Sequence, residues 1–223
     1  MQTHFMFSRA EENYIKAIHK LSEKERKVAT NSIAAELQTK ASSVTDMLKK
    51  LSEKSLINYK KYQGVTLSEK GRSVAVKVIR KHRLWEVFLV DKLKFSWDEV
   101  HDIAEQLEHI VSPQLVDKLD AFLEFPKFDP HGDPIPDKDG VFPDMQRKIL
   151  SEVEVGSEWI LTSVTQDSAE FLKLIDKMNL KLGLHLKVVE RFDFDHSLNL
   201  EINNKDQIYL SVEVAKNLLV SKV

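Results

Sequence analysis

The stretch from Ser8 to Leu67 most constrains the fold, because its local signals follow one another in a single restrictive order. Ser8-Arg9-Ala10-Glu11 is a capping box, Ser at the N-cap and Glu three residues later. The helix it opens carries Tyr14, Ile15, Ile18 and Leu21 at helical spacing. Val28 begins a short apolar step, and Thr30 or Asn31 is the expected cap of a second helix containing Ile33, Ala34 and Leu37. A break at Gln38–Lys40 leads to a third helix, with Ser42 or Ser43 as its expected cap and Val44, Met47, Leu48 and Leu51 as its packing face. Leu56–Lys61 and Val65–Leu67 read as two short strands joined by a tight turn, in which Gly64 supplies the unusual backbone angle. Helix, short turn, helix, β-hairpin is the order of a winged helix-turn-helix.

Charge follows the same boundary. The formal net charge is only −2, but Lys40 to Arg83 holds 12 Lys/Arg against 3 Asp/Glu, and Leu84 onward holds 15 against 27. A basic segment inside an otherwise acidic chain implies a polyanion partner for that segment alone. The third helix begins Ala41-Ser42-Ser43-Val44-Thr45-Asp46, and small hydroxyl residues at its start allow close approach to a major groove. Lys40, Ser42, Ser43, Thr45, Asp46, Lys49, Lys60 and Lys61 are therefore the candidate contacts to double-stranded DNA. The competing reading is a Lys-rich helical bundle that binds no nucleic acid.

The absence of cysteine excludes a disulfide framework, a thiolate nucleophile and a cysteine zinc site. No apolar run of ~18 residues and no signal-peptide pattern occur, so the expected location is the cytoplasm, away from membranes.

Ser68-Glu69-Lys70-Gly71 opens a long helix to about Val90, on which His82 and Glu86 stand at i, i+4. Ser96-Trp97-Asp98-Glu99 is a further capping box, starting a helix that bears His101 to His109. On it Glu105, Glu108 and His109 lie at i, i+3 and i+4, which directs two carboxylates and an imidazole to one place, with His101 one turn earlier. Like carboxylates held close repel, a divalent cation removes that penalty, and His with carboxylate suits a first-row transition metal. The plainer reading is a solvated charged face with ordinary ion pairs. Ser112-Pro113 begins another helix, expected to pack through Leu115, Leu119, Phe122 and Leu123. The apolar content from Val87 to Leu123 exceeds what one monomer core needs, so a homodimer interface is expected here.

Five of the six prolines fall between Glu124 and Asp144, marking an irregular segment. Beyond it Trp159–Val164, Leu184–Phe192, Leu198–Ile202 and Gln207–Leu210 read as strands, with one helix over Ser168–Met178. The expected fold class is therefore α+β multidomain: a winged helix-turn-helix over residues 1–74, a helical metal-binding and dimerisation domain over 75–143, and a small SH3-like β-barrel over 144–223.

Three strings, Arg80-Lys81-His82-Arg83-Leu84, Val100-His101-Asp102 with Glu108-His109, and His131-Gly132-Asp133-Pro134-Ile135-Pro136, in this order of parts, resemble the diphtheria-toxin-repressor family of iron- and manganese-dependent regulators. The resemblance covers essentially the whole chain, and its last part resembles the ferrous-transport-accessory-like domain of the longer members. It implies two metal sites per subunit, loaded with Mn²⁺ or Fe²⁺. The primary site would use Asn13, Glu105, Glu108 and His109. The second would use His82, Glu86, His101, Asp167 and Glu170. Glu12 and His131 are possible extra ligands. Asn13 departs from the family, where iron sensors typically carry Met and manganese sensors Asp. A carboxylate found one turn further on in some manganese members is replaced by Lys16. The resemblance further implies a homodimer on a pseudo-palindromic operator, repressing metal-uptake genes.

Two other classes compete. A metal-independent winged-helix regulator would sense a small molecule through an apolar pocket in the β domain. A di-iron metalloenzyme would need Glu three residues before His, and Gln106 stands there. No HExxH helix and no phosphate-binding glycine loop occur, so no enzyme activity is expected.

Overall fold

In a computed structural model of the chain, residues 7–60 and 63–223 are described. The elements in order are α1 (Arg9–Ser22), α2 (Thr30–Glu36), α3 (Ala41–Glu53), β1 (Ile57–Lys60), β2 (Gly64–Leu67), α4 (Glu69–Asp91), α5 (Val100–Leu107) and α6 (Pro113–Phe122). Then follow β3 (Lys148–Ile149), β4 (Glu158–Val164), α7 (Ala169–Lys177), β5 (His185–Arg191), β6 (Leu198–Ile202), β7 (Asp206–Leu210), α8 (Val212–Ala215) and β8 (Leu218–Lys222).

The Ser8–Glu11 capping box forms in full and starts α1. Ile15 and Ile18 on its inner face are completely buried with Ile33, Val44, Leu48, Leu51 and Val65. Each such side chain stabilises the layer by about 1.5–3 kcal/mol relative to exposure. β1 and β2 pair antiparallel from Ile57↔Leu67 to Lys60↔Gly64, and Val28 bridges Val65, so the apolar step after α1 anchors the hairpin. Gly64 adopts φ +83°, as its place after the turn requires.

The expected caps of α2 and α3 are corrected. Ala29 and Lys40 hold the N-cap positions and make no side-chain capping bond. Thr30 falls inside the first turn of α2, with Asn31 after it, while the Glu25 carboxylate accepts the Ala29 N–H at 3.2 Å. Ser42 and Ser43 fall inside the first turn of α3 and are exposed, which leaves its first N–H groups without a side-chain partner.

Ser68 caps the 23-residue α4, which runs on into the helical layer. There the buried Arg80 guanidinium donates to Asp120 at 2.7 Å and to the Pro136 carbonyl at 2.6 Å, tying α4 to α6 and to the proline-rich segment. Ser96 and Glu99 form only half of the expected capping box: the Glu99 carboxylate accepts both the Ser96 N–H and its hydroxyl, while the Glu99 N–H goes to the Ser96 carbonyl, so the two close a separate turn and α5 begins only at Val100. The helix also ends earlier than its sequence suggests. Leu107 is the last helical residue, and Glu108 and His109 occupy the following turn.

Leu119 and Leu123 of the α6 segment are buried, whereas Leu115 and Phe122 are 39% and 59% exposed, so only half of the expected packing face is covered within one chain. The helical layer encloses two small clusters, Leu84, Val87, Leu119, Leu123 and Ile135 in one and Leu89, Val100 and Ala104 in the other.

The C-terminal part is a six-stranded sheet in the order β3-β8-β4-β5-β6-β7. The sequence reading missed β3, β8 and α8. β3 is two residues long, too short for an alternation signal, and β8 inserts between β3 and β4 from the far end of the chain. α7 covers the core through Phe171, Leu172 and Ile175, packed with Leu161, Leu186, Leu200 and Val220.

Candidate metal centre and nucleic-acid interface

Residues from α1, α4, α5 and the turn after it, the 129–131 loop and the approach to α7 converge on two adjoining clusters. The first is built on Glu108, whose side chain is fully enclosed. The αR backbone of Glu108 closes the last turn of α5, its N–H bonded to the Ala104 carbonyl at 2.8 Å, and this points the carboxylate back toward α1 and α4. His82 Nδ1 lies 2.6 Å from Glu108 Oε2. The Lys16 ammonium of α1 is 2.8 Å from Glu108 and 3.2 Å from Glu105 Oε1. His109 Nδ1 meets Glu12 Oε2 at 2.6 Å, and its Nε2 is 3.7 Å from Glu108 Oε1. Asn13 shares the helix of Glu12 and Lys16, and among the described residues no hydrogen bond joins it to the cluster.

The second cluster is built on Glu86, 2% exposed. His82 Nε2 reaches its Oε1 at 3.0 Å and His101 Nδ1 at 3.5 Å. His131 Nδ1 is 3.8 Å from Oε2. Asp167, just before α7, stands 3.4 Å from His101 and so brings the β domain to the cluster. Glu170 does not join it. The side chain is exposed on the first turn of α7, and no ion pair or hydrogen bond links it to the cluster among the described residues. The ligand atoms of His82, Glu86 and His101 all lie within 4.8 Å of one another, as do those of Glu86, Asp129 and His131.

The electrostatics are those of a densely charged pocket. Burial works to lower the His82 pKa, but the Glu86 charge and the bonds to Glu108 and Glu86 outweigh it and push it up to about 9. Burial likewise opposes the rise at His131, where Glu86 and Asp129 still carry the value to about 9. Burial would raise the Glu86 carboxyl, yet the His82 charge and the bonds from His101, His131 and His82 hold it well below the usual range. Glu108 is lowered against its burial by His82 and Lys16. Asp129 is driven the other way, up to about 8, by burial and then by the neighbouring Glu86 and Asp133 charges.

The donor set fits a divalent cation. Imidazole nitrogens and carboxylate oxygens converge here, and buried polar atoms normally find a hydrogen-bond partner. Five buried side-chain atoms among the described residues lack a well-formed hydrogen bond, and three of them, Asn13 Oδ1, Glu108 Oε1 and His101 Nδ1, belong to residues with ligand roles expected from sequence, with Lys16 Nζ standing 2.8 Å from Glu108 Oε1. Two contributors escaped sequence reasoning. Asp129 sits among prolines in a segment with no periodicity, where only the Asp-Pro-His-Gly string hinted at it. Lys16 was visible as a change of charge at one position, but its reach to Glu105 and Glu108 was not.

The other surface is the exposed start of α3. Lys40, Ser42 and Ser43 are exposed at its N-terminus, Lys60 is exposed at the end of β1, and Val44, Leu48 and Leu51 are buried on the opposite face. Asp46 and Lys49 pair with each other at 3.2 Å, and the Thr45 hydroxyl donates to the Ala41 carbonyl at 2.9 Å. Lys61, the last expected contact, lies outside the described residues. No helix among the described residues is long and apolar enough to cross a membrane.

Comparison with known proteins accounts for this arrangement. Residues 6–65 match the family described as iron dependent repressor, N-terminal DNA binding domain. Residues 68–137 match iron dependent repressor, metal binding and dimerisation domain, and 148–222 match the FeoA domain. An HTH-type transcriptional regulator of Methanocaldococcus jannaschii is 36% identical over 118 residues, 52% of this chain and 94% of that protein. Iron-dependent repressor IdeR of Mycobacterium tuberculosis is 34% identical over 125 residues, 56% of this chain and 54% of that protein. Among solved structures, a manganese-dependent transcriptional repressor in complex with manganese is 33% identical with a TM-score of 0.88, over 96% of this chain and 100% of that one. ScaR with bound Cd²⁺ is 34% identical with a TM-score of 0.79, over 96% and 99%.

Proposed function

The chain belongs to the iron-dependent repressor family of metal-dependent, DNA-binding transcriptional regulators, and from that premise we propose that Mn²⁺ or Fe²⁺, bound at two sites per subunit, switches it onto a pseudo-palindromic operator controlling metal-uptake genes. The observation that supports this most is the pair of adjoining His/carboxylate clusters at the meeting point of α1, α4 and α5. The proposed primary ligands are Asn13, Glu105, Glu108 and His109. The proposed second set is His82, Glu86, His101 and Asp167, with His131 in place of Glu170, which makes no ion pair or hydrogen bond to the cluster among the described residues.

A bound cation supplies positive charge that lets these acidic groups approach. The rest is done by the chain. Asn13 lies on α1, just ahead of the DNA-reading helices, so drawing it toward Glu105, Glu108 and His109 restricts where α3 can stand. Asp167 draws the β domain onto α5 through His101. The cation must favour the DNA-competent arrangement, since equal affinity for both arrangements shifts nothing. Coupling between two such sites is typically roughly 5–150-fold. Two winged helices in a cytoplasmic homodimer would then meet successive half-sites.

The test is operator binding by metal-stripped protein, on its own upstream DNA at fixed salt, with no metal, Mn²⁺, anaerobic Fe²⁺ or Zn²⁺. Mn²⁺ or Fe²⁺ is expected to raise affinity tenfold or more. Equal binding with and without metal would reduce both clusters to structural features. Lys60→Ala and Lys49→Ala are each expected to weaken binding about equally across DNA sequences. Each should also flatten the slope of log affinity against log salt by about one. An unchanged slope in both would move the interface elsewhere.

A further inference from the structure

We infer that Lys16 is a tethered competitor for the proposed primary metal site, its ammonium held between Glu105 and Glu108 until a divalent cation displaces it. The inference rests on the reading of Glu105 and Glu108 as ligands. Lys16 reaches across from α1 to place Nζ 2.8 Å from Glu108 and 3.2 Å from Glu105 Oε1, so a single cationic atom already answers the convergence of the two carboxylates. Its side chain is 20% exposed and that of Glu108 not at all, so the Lys16–Glu108 arm is no solvated surface pair, while Glu105 stands 47% exposed at the rim. The ammonium donates to the carboxylate oxygens that a bound cation would need. Two positive charges at one pair of carboxylates also repel, so one must leave before the other is held. The flexible four-carbon stem lets Lys16 swing toward solvent without moving α1.

The surroundings sharpen the point. Asn13 is neutral, so the expected ligand set offers just the charges of Glu105 and Glu108, and Lys16 offsets one of them. Glu12 is engaged by His109 at 2.6 Å and lies 4.0 Å from Lys81, so it is not free to neutralise Lys16. The ammonium also spans α1 and α5, the two elements that metal at this site would join. Lys16 therefore holds them together in the metal-free protein and raises the concentration of metal at which the exchange occurs.

Calorimetric titration of the full-length, metal-stripped protein with Mn²⁺ tests this on Lys16→Met, Lys16→Arg and Glu108→Gln. Lys16→Met keeps the apolar stem and removes the charge. It is expected to bind Mn²⁺ at one site at least tenfold more tightly than wild type, and to gain more in melting temperature when Mn²⁺ is added. Lys16→Arg should stay within about threefold of wild type. If Lys16→Met binds no more tightly while Glu108→Gln has lost a site, the carboxylates are ligands and Lys16 is no competitor. Equal tightening by Met and Arg would mean that shape rather than charge is responsible, and overturns the inference. If Glu108→Gln keeps every site, the primary-site reading itself fails.

Discussion

Glu108→Ala is expected to abolish metal-dependent operator binding, with the affinity gained on adding Mn²⁺ falling by roughly two orders of magnitude or more. Groups that only orient a metal ligand already cost 10–100-fold when removed. Glu108 is at once a proposed ligand and the acceptor for both His82 and Lys16. The same substitution takes one of two carboxylate partners from the buried His82 and from the partly exposed Lys16, and breaking a buried pair costs about 3–5 kcal/mol. Glu108→Gln keeps the volume and one acceptor oxygen, so it separates loss of metal response from loss of fold. The measurement is a gel-shift or anisotropy titration of operator DNA at fixed salt with and without Mn²⁺, beside a melting curve of each metal-free variant. A folded Glu108→Gln protein with undiminished metal response would sink the primary-site assignment.

Gly132→Ala should uncouple the β domain from the helical layer. Gly132 adopts φ +86°, a region that costs an L side chain about 1–2 kcal/mol. A Cβ there would stand 2.0 Å from the Thr162 carbonyl oxygen and 2.8 Å from Ser163 Cα, so loop and β4 must separate. With typical overpacking costs added, the docked state loses about 2–5 kcal/mol. Two bonds are at stake beside it, Val164 N–H to the His131 carbonyl at 3.1 Å and Arg147 to the Gly132 carbonyl. His131 would be pulled from Glu86 with them. Calorimetry is expected to show one unfolding transition for wild type and two for the variant, and proteolysis should open the segment between Pro136 and Lys148. One transition at the wild-type temperature would show that this contact does not hold the domains together.

The sequence carried those parts of the fold that local chemistry writes. The Ser8–Glu11 box, the Ser68 and Ser112 caps and the Gly64 turn were all legible because each is settled within a few residues. Where the side-chain cap is absent, as at Ala29 and Lys40, hydroxyl residues one to three positions later drew the expected start too far along. In the site, the spacing within one helix was readable and the approach between helices was not. Lys16 meets Glu105 and Glu108 across 89 and 92 residues of chain, and His82 meets Glu108 across 26. No periodicity encodes such distances. The family resemblance supplied Asn13 and Asp167, and it also supplied Glu170, which is exposed and makes no bond to the cluster among the described residues.

The thinness of the helical layer has a consequence for how the protein responds to dilution. Its two enclosed clusters together comprise only eight buried side chains, while Phe122, Leu115 and Val111 remain exposed beside them. These exposed apolar residues are the ones a second copy would cover, and residues 68–137 match a family described as a metal binding and dimerisation domain. Mass action then enters the sensor. Because α4 and α5 carry both the half-finished core and the proposed metal ligands, whatever favours the pair of subunits would also favour the clusters. Metal affinity measured at micromolar chain and operator occupancy measured at nanomolar chain would then be different quantities, linked through assembly, and the amount of protein made would enter the set point.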